Sequence, residues 1–340
     1  MYPFINHNQN DVISKTFWKN LHTLFYTLIN FILLAAGIRF LFFSDNLSAT
    51  EVEKSKKIGA CYNNLQNSFF NVLNNEIKSV VEEKGDRLII RDSLLSQEKQ
   101  NEQIHELLEE GVVALIIAPV DWKDIRPALE EARARNVAVI IIDSQIYDET
   151  MADCTITSDN YDVGVQLANY LKSQRTEADI LLLEQNGSGA SKERVKGFAD
   201  GLDLQKGKND YQIVKTQQCN GSFQDARNKV SLLLEQGEEF NCVFAVNDPC
   251  AMGAIVACED YGIRENVDFL STDGSPEGKK LIRNSIMMVT AAQFPAEMGN
   301  RTVDSLYKIL NHEPYESNIK VPVKLITRYT VNSYDLEKWN

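Results

Sequence analysis

Residues 137–142 read VAVIII and residues 114–118 read ALIIA. Each run is short enough for one strand and apolar at every position, which is typical of parallel sheets covered on both faces. Amphipathic helical patterns alternate with such runs from residue 57 onward. Repeated βα units of this kind predict doubly wound sheets with right-handed crossovers, and hence an α/β fold.

The alternation continues through most of the chain. The predicted strands are 57–62, 87–91, 114–118, 137–142, 179–183, 211–215, 241–245, 267–271 and 286–291. The predicted helices are 69–83, 97–110, 123–135, 162–172, 192–202, 224–236, 249–261, 276–283 and 295–310. So many units exceed one sheet of ordinary size, so two lobes are expected. The alternation of strands and helices is interrupted at 157–161, where the first boundary between the lobes is predicted.

The charge balance excludes one class of partner. The 340 residues include 48 Asp and Glu against 35 Lys and Arg, a formal net charge of −13. A field of that sign repels phosphate backbones, and the most basic stretch, 54–57, is short. Nucleic-acid binding is therefore not expected.

The six cysteines have no metal-binding spacing. None form a CxxC pair, and no histidine is close enough in sequence to complete a zinc-type set. Cys61 and Cys242 fall inside apolar runs, where a thiol packs as a small hydrophobe. We expect core thiols with no metal and no cofactor, and a disulfide among the other four stays open.

The N-terminal segment is nearly uniformly apolar. Residues 21–38 read LHTLFYTLINFILLAAGI, and residues 17–43 are long enough for a helix to cross a hydrocarbon core of about 30 Å. A cleavable signal peptide has a shorter apolar region followed by a small-x-small site, whereas Arg39 and further aromatic residues follow here. An uncleaved membrane anchor is therefore favoured over a signal peptide.

Flanking charges predict the orientation of this segment. Lys15 and Lys19 precede it, and Asp45 follows it. Lys and Arg collect on the cytoplasmic side of membrane spans, so the rest of the chain is predicted to lie outside the cytoplasm, at the cell membrane. The predicted organisation is a cytoplasmic stub and membrane anchor at 1–45 and a polar linker at 46–56.

Polar residues collect where predicted strands end, the position at which open parallel sheets bind ligands. Asp143 and Asp273 lie at such ends in the two halves of the chain, and Arg194 is the nearby cation. The other candidates are amides and aromatic rings: Asn63, Asn64, Asn67, Gln185, Asn186, Asn247, Gln293, Phe69, Phe70, Trp122 and Phe223. Such polar groups satisfy sugar hydroxyls, and aromatic rings cover sugar C–H faces. This chemistry predicts a sugar site.

Several of these residues have structural alternatives. Asn67 is equally well explained as the cap of the following helix. Asp143 and Asp273 are also typical turn formers. Phe69 and Phe70 are adjacent, so at most one is expected to face the core of a regular helix, which leaves the other for a ligand.

Eight short segments together carry a family resemblance. They are 67–70 (NSFF), 117–121 (IAPVD), 141–144 (IIDS), 158–160 (SDN), 192–198 (KERVKGF), 243–248 (VFAVND), 271–274 (STDG) and 291–295 (AAQFP). In this order and spacing the chain resembles the ribose/xylose-type periplasmic sugar-binding proteins over about 57–330. These are type I periplasmic binding proteins, related to lactose-repressor effector domains. The resemblance implies two doubly wound parallel-sheet lobes joined by a three-segment hinge, preceded here by one transmembrane helix.

The resemblance also implies where the lobes divide. The hinges fall near 158–160, 294–295 and 321–325, and the C-terminal strands return to complete both lobes. The implied N-terminal lobe is 57–158 plus 294–322, and the implied C-terminal lobe is 159–293 plus 323–340.

Nine ligand-binding residues follow from the resemblance. They are Asn67, Phe69, Phe70, Asp143, Arg194, Phe223, Asn247, Asp273 and Gln293. Two positions depart from the ribose pattern, because Ala118 stands where an asparagine is expected and Ser144 where an arginine follows the aspartate. The loss of two hydrogen-bonding groups puts ribose itself in doubt, so another aldopentose such as xylose, or a hexose, fits at least as well.

The family mechanism is hinge closure around the sugar, after which a membrane partner recognises the closed form. In the family the usual partner is an ABC permease, whereas some members act as sensors that signal to a membrane histidine kinase or a chemoreceptor. An uncleaved anchor slightly favours the sensor role. A cytoplasmic repressor is not expected, because a hydrophobic span and no helix-turn-helix precedes Lys57.

The alternative from another functional class is a glycosidase that uses Asp143 and Asp273 as its carboxylate pair. No histidine lies at a predicted strand end, and no GxSxG motif is present. A pair of carboxylates alone suffices for a glycosidase, so this alternative stays open, but we expect a binding protein and not an enzyme.

Overall fold

The first helix contains a long, predominantly apolar segment. The computed structural model describes residues 8–47, 55–204 and 210–340, and within the first helix the side chains of 17–39. Helix α1 (Asn8–Leu47) contains Phe17–Arg39, whose mean hydropathy of 1.8 and length of 23 residues suffice to cross a membrane. This helix belongs to a unit of its own. The start of the predicted stub and most of the predicted linker lie outside the described residues.

Beyond the first helix, strands and helices alternate in a second unit that begins at Lys56. The strands are β1 (Lys57–Tyr62), β2 (Arg87–Asp92), β3 (Ala114–Ile117), β4 (Ala138–Asp143), β5 (Cys154–Ser158), β6 (Ala178–Glu184), β7 (Tyr211–Gln218), β8 (Cys242–Ala245), β9 (Asp268–Asp273), β10 (Val289–Ala292), β11 (Asn318–Val321) and β12 (Lys324–Thr327). The helices are α2 (Ser68–Glu83), α3 (Gln97–Glu109), α4 (Arg126–Ala134), α5 (Asn160–Gln174), α6 (Gly189–Gly201), α7 (Phe223–Glu235), α8 (Asp248–Asp260), α9 (Pro276–Arg283) and α10 (Pro295–Leu310).

These strands form two sheets of six. The first has the order β11-β5-β4-β3-β1-β2, and its neighbouring strands are all parallel. The second has the order β12-β10-β9-β8-β6-β7, in which only β12 runs antiparallel to its neighbour. We call the layers around the first sheet the N-terminal lobe and those around the second the C-terminal lobe. The predicted α/β fold with two doubly wound sheets is confirmed.

Each sheet is covered on both faces, because successive side chains of a strand point to opposite sides. In β4, Ile140 and Ile142 pack with α2 and α10, whereas Val139 and Ile141 pack with α3 and α4. In the C-terminal lobe, α7, α8 and α9 cover one face and α5 and α6 cover the other. All six cysteines are buried as free thiols.

The chain passes between the two sheets three times. β5 of the first sheet leads into α5 on the second, β10 leads back into α10 on the first, and β11 is followed by β12. The crossings are bonded together, since Ser158 Oγ donates to Gln293 Oε1 at 2.8 Å and the Asp159 amide donates to the Val321 carbonyl at 3.0 Å. This connection holds the carboxyl ends of the parallel strands of both lobes on either side of one cleft.

Candidate functional site

A cavity of about 390 Å³ lies between the carboxyl ends of the strands of the two lobes. This volume is in the range of small-molecule sites. All nine residues predicted to bind the ligand line it: Asn67, Phe69, Phe70, Asp143, Arg194, Phe223, Asn247, Asp273 and Gln293. The structure therefore brings together residues that are far apart in the sequence.

Phe69 and Phe70 are both buried, with 2% and 4% of their surface exposed. The prediction that at most one of them faces the core is wrong. The two rings meet edge to face with centroids 5.2 Å apart, and Tyr62 and Trp339 lie 5.8 Å and 5.6 Å from Phe70 and Phe69 respectively. The first turn of α2 is covered on several sides, because a segment from the far end of the chain packs over it. Each ring is thus both a core residue and a cavity wall.

Arg194 is a buried cation at the cavity wall, 5% exposed. Its Nε donates to Asn160 Oδ1 at 2.8 Å, its Nη1 to the Val246 carbonyl at 2.7 Å, and its Nη2 to Gln293 Oε1 at 3.1 Å. A guanidinium has five N–H donors, so these bonds leave two for a ligand. Burial lowers the pKa of Arg194, and nearby carboxylates oppose that shift.

Two carboxylates face the cavity from opposite lobes. Asp143 ends β4 with a left-handed φ of 68°, so a turn-forming role and a place in the cavity wall coexist. Burial raises the pKa of Asp143 to about 6, and the charge of Arg194 opposes the rise. Asp273 ends β9, and its Oδ1 accepts a hydrogen bond from Gln293 Nε2 at 2.8 Å. Burial and the charge of Asp248 raise the pKa of Asp273.

Asp248 is buried behind Asp273 and helps to hold it in place at the cavity wall. Its carboxylate accepts hydrogen bonds from the hydroxyl groups of Ser271, Ser275 and Thr290. Its backbone amide donates to Asp273 Oδ2 at 3.3 Å. These bonds hold the first turn of α8 against β9 and β10, so they orient the Asp273 carboxylate.

Two asparagines at the cavity wall also cap helices. Asn67 caps α2, its Oδ1 accepting from the Phe69 amide at 3.0 Å. Asn247 caps α8 by accepting from the Cys250 amide at 3.0 Å, and its Nδ2 donates to the Gly221 carbonyl at 3.0 Å. A side-chain amide has two donors and an oxygen with two lone pairs, so each cap leaves hydrogen-bonding capacity for a ligand.

Four residues that the sequence placed near the site lie outside the cavity lining. One is Asn186, whose backbone amide donates to Gln218 Oε1 at 2.6 Å. Trp122 packs edge to face against Tyr147, with ring centroids 5.3 Å apart. Ser144 is buried, and its Oγ accepts from the Ala190 amide of the opposite lobe at 3.0 Å. Ala118 is fully buried. The two positions that depart from the ribose pattern therefore contribute to a lobe contact and to the core.

Comparison with known families agrees with this geometry. Residues 58–314, most of the chain, match the periplasmic binding protein domain.

The chain is a periplasmic binding protein. The family predicted from the short motifs is confirmed. So is the prediction that it is not an enzyme, because its relatives are substrate-binding proteins.

Relatives of this periplasmic binding protein cover most of its length. The ribose import binding protein RbsB of Bacillus subtilis is 28% identical over 278 residues, which are 81% of this chain and 88% of that protein. The galactofuranose-binding protein YtfQ of Escherichia coli is 29% identical over 279 residues, 78% of this chain and 83% of that protein.

Solved structures share the fold. The myo-inositol binding protein of Caulobacter has a TM-score of 0.76 at 23% identity, over 84% of this chain and 98% of that one. The fructose-binding periplasmic domain of a hybrid two-component system also has a TM-score of 0.76, at 24% identity, over 82% of this chain and 92% of that one.

The sequence missed one side of the cavity, formed by the loop after β7. This loop supplies Asn220, Gly221 and Ser222 to the lining, next to Phe223. The predicted strand ended at 215, whereas β7 continues to Gln218. With the strand extended to Gln218, the rule that ligands bind at strand ends would have found these residues.

Proposed function

We propose that this periplasmic binding protein binds one monosaccharide outside the cytoplasm by closing its two lobes on it. One observation carries the proposal: a single cavity is lined from both lobes by hydrogen-bonding groups and aromatic rings. Relatives named for binding ribose and galactofuranose support a sugar as the ligand class.

The cavity wall favours a neutral ligand rich in hydroxyl groups. Asp143 and Asp273 accept hydrogen bonds, Arg194 donates them, and the side-chain amides do both. The rings of Phe69 and Phe223 offer apolar area for C–H faces. When Asp143 and Asp273 are both ionised, their two negative charges outweigh the one guanidinium, so the wall repels an anionic ligand such as a sugar phosphate.

Among monosaccharides, an aldopentose is the first choice, as xylose or ribose. The ribose-binding relatives align over most of the chain, which supports a sugar of that size. Ser144 supplies no charged donor where the ribose pattern has arginine, and its hydroxyl is engaged with the opposite lobe. Xylose is therefore placed ahead of ribose.

Bonds across the cleft support closure of the lobes as the binding movement. The Trp122 amide donates to the Gly187 carbonyl at 2.8 Å, and Gln145 Nε2 donates to the Gly189 carbonyl at 3.0 Å. Together with the Ser144 bond, they join loops of the N-terminal lobe to the start of α6. Opening the cleft must break all of them, so they belong to the closed form.

The moving bodies are proposed to be the two lobes with the boundaries implied by the resemblance. They are 57–158 plus 294–322 and 159–293 plus 323–340. The three crossings between the sheets then act as the hinge, since they are the places at which the chain passes from one lobe to the other.

The partner is proposed to be a protein embedded in the membrane, either an ABC permease or a histidine kinase. The fructose-binding relative belongs to a hybrid two-component system, whereas RbsB is an import binding protein. Phe17–Arg39 is long and apolar enough for an uncleaved anchor. A tethered binding protein does not need to diffuse between partners, which favours the sensor role.

A thermal-shift screen of the full-length protein in detergent tests the proposed function. One or more aldopentoses should raise the melting temperature, because a ligand that binds only the folded state stabilises it. Parallel incubation with aryl glycosides should release no aglycone. Hydrolysis of a glycoside, or a screen in which no monosaccharide raises the melting temperature, would overturn the proposal.

A further inference from the structure

The last residues of the chain lie along the C-terminal lobe. Tyr334 and Leu336 pack against the hydrophobic cluster formed by α7, α8 and α9. Glu337 Oε2 accepts from Lys280 Nζ of α9 at 2.7 Å. We refer to residues 334–340 as the tail segment.

A buried lysine fixes the end of the tail segment. Lys279 of α9 is 0% exposed, and its Nζ donates to the Lys338 carbonyl and, at 3.2 Å, to Asn340 Oδ1. Asn340 Nδ2 in turn donates to the Gly274 carbonyl at 3.2 Å. A buried ammonium needs acceptors to offset its lost hydration, so its use of the tail as partner makes this attachment specific.

Trp339 lies between Lys338 and Asn340, which are bonded to the C-terminal lobe, but its ring points to the N-terminal lobe. Its ring centroid is 5.6 Å from that of Phe69, at an interplanar angle of 69°. Its Nε1 donates to Ser68 Oγ at 3.3 Å. Its half-buried ring packs against the hydrophobic cluster of the N-terminal lobe. One residue thus connects a tail fixed to the C-terminal lobe with the first turn of α2.

We propose that Trp339 is a latch that holds the closed form and positions the Phe69 ring against the ligand. The inference rests on the proposed function, because Phe69 lines the sugar cavity. Phe69 has the cavity on one side and Trp339 on another. The aromatic contact and the Ser68 hydrogen bond exist only while the two lobes are together, so opening the cleft must break them.

A contact made only in the closed form lowers the rate of ligand dissociation and leaves the rate of association almost unchanged. Trp339→Ala should therefore raise the sugar dissociation rate about tenfold, as expected for loss of an aromatic pair with its hydrogen bond, while the association rate changes less than about twofold. Trp339→Phe keeps a ring and loses the N–H donor, so it should lie between wild type and Trp339→Ala. Lys279→Met releases the tail end with little change of volume and should raise the dissociation rate as well.

Stopped-flow binding of the full-length protein in detergent, using the monosaccharide that stabilises wild type most, provides the test. Tyr329→Ala is the matched control, since Tyr329 is an aromatic residue of the same C-terminal stretch with 71% of its surface exposed. It should leave both rates unchanged. Melting of the ligand-free variants shows whether each one folds.

The outcomes separate this inference from the proposed function. If wild type binds no monosaccharide, the proposed function fails and the latch fails with it. If wild type binds and folded Trp339→Ala releases sugar at the wild-type rate, only the latch is wrong. Equal changes in association and release, or an effect matched by Tyr329→Ala, also contradict it.

Discussion

Phe69 packs in the core and lines the cavity at the same time. It is 2% exposed, contacts Phe70 and Trp339, and lines the cavity. Phe69→Leu keeps an apolar side chain and removes the ring face. We expect sugar affinity to fall by about 1–2 kcal/mol. The free energy of unfolding should fall by roughly 1 kcal/mol, since the loss of packing is partial. Calorimetric titration and denaturant unfolding measure the two effects.

A ring in the core away from the cavity provides the control. Phe244 is fully buried and stacks on Phe198, with centroids 4.2 Å apart. Phe244→Leu should lower the free energy of unfolding by a similar amount and leave sugar affinity unchanged. If Phe69→Leu behaves like Phe244→Leu, the ring of Phe69 packs the core without contacting the sugar.

We expect Asp143 to make sugar binding depend on pH. In the closed form burial raises its pKa to about 6, and the charge of Arg194 opposes the rise. A sugar hydroxyl that donates to the carboxylate favours the ionised form, so the pKa of Asp143 falls when sugar binds. Affinity should therefore rise with pH up to about 6 and level off above it.

Titrations at a series of pH values, on wild type and Asp143→Asn, measure this dependence. The amide does not titrate, so the variant should lose the rise that wild type shows below pH 6. Asp273 also has a raised pKa and is present in both proteins, so only the difference between them reports on Asp143. An unchanged pH profile in Asp143→Asn would assign the dependence to another group.

At the residue scale, the chemistry of the cavity was predictable but its packing was not. Asp143, Asn247 and Asp273 follow apolar runs, and the placement of strand ends at one edge of a sheet brings them together. Trp339 contacts the Phe69 ring but is remote in sequence, and no local pattern links it to α2. A contact between residues so far apart in the sequence cannot be predicted from the local periodicity of apolar residues.

At the element scale, the start of α2 joins a helix cap to the cavity. Asn67 caps the helix through its Oδ1 and also lines the cavity. Asn67→Ser keeps a good cap and shortens the side chain, whereas Asn67→Ala removes the cap as well. Both variants should lose about 1 kcal/mol or more of sugar affinity. Only Asn67→Ala should lose about 1 kcal/mol in the free energy of unfolding.

Titration with sugar and denaturant unfolding of both variants distinguish the two roles. If Asn67→Ser binds sugar as wild type does, the asparagine acts only as a cap. That result would support the structural alternative given by the sequence, in which Asn67 only caps the following helix.

Two helices with a strong signal at their first residue were predicted accurately. α9 and α10 were predicted with their observed bounds, because a proline begins each of them. β5 was missed, since its sequence, CTITS, is short and rich in hydroxyl groups, although all five residues are buried. Its parallel pairing with β4 and β11 decides its structure, and that pairing is not a local property.

At the scale of the whole molecule, the N-terminal helix carries the prediction of a membrane anchor. If Phe17–Arg39 is an uncleaved anchor, the protein should fractionate with membranes and keep the peptide that contains Met1. Membrane fractionation with mass spectrometry of the N-terminal peptide measures both. Recovery of a soluble form that begins near Ala49 would show that the segment is a cleaved signal peptide.

The central claim is that the two lobes close on one monosaccharide, and calorimetric titration of the full-length protein in detergent tests it most directly. D-xylose and D-ribose should each be titrated, with myo-inositol as a cyclic polyol for comparison. We predict saturable binding of one xylose per chain, tighter than that of ribose, because Ser144 lacks the charged donor of the ribose pattern. Preference for ribose would contradict the proposed specificity. The absence of saturable heat with every monosaccharide tried would contradict the account as a whole.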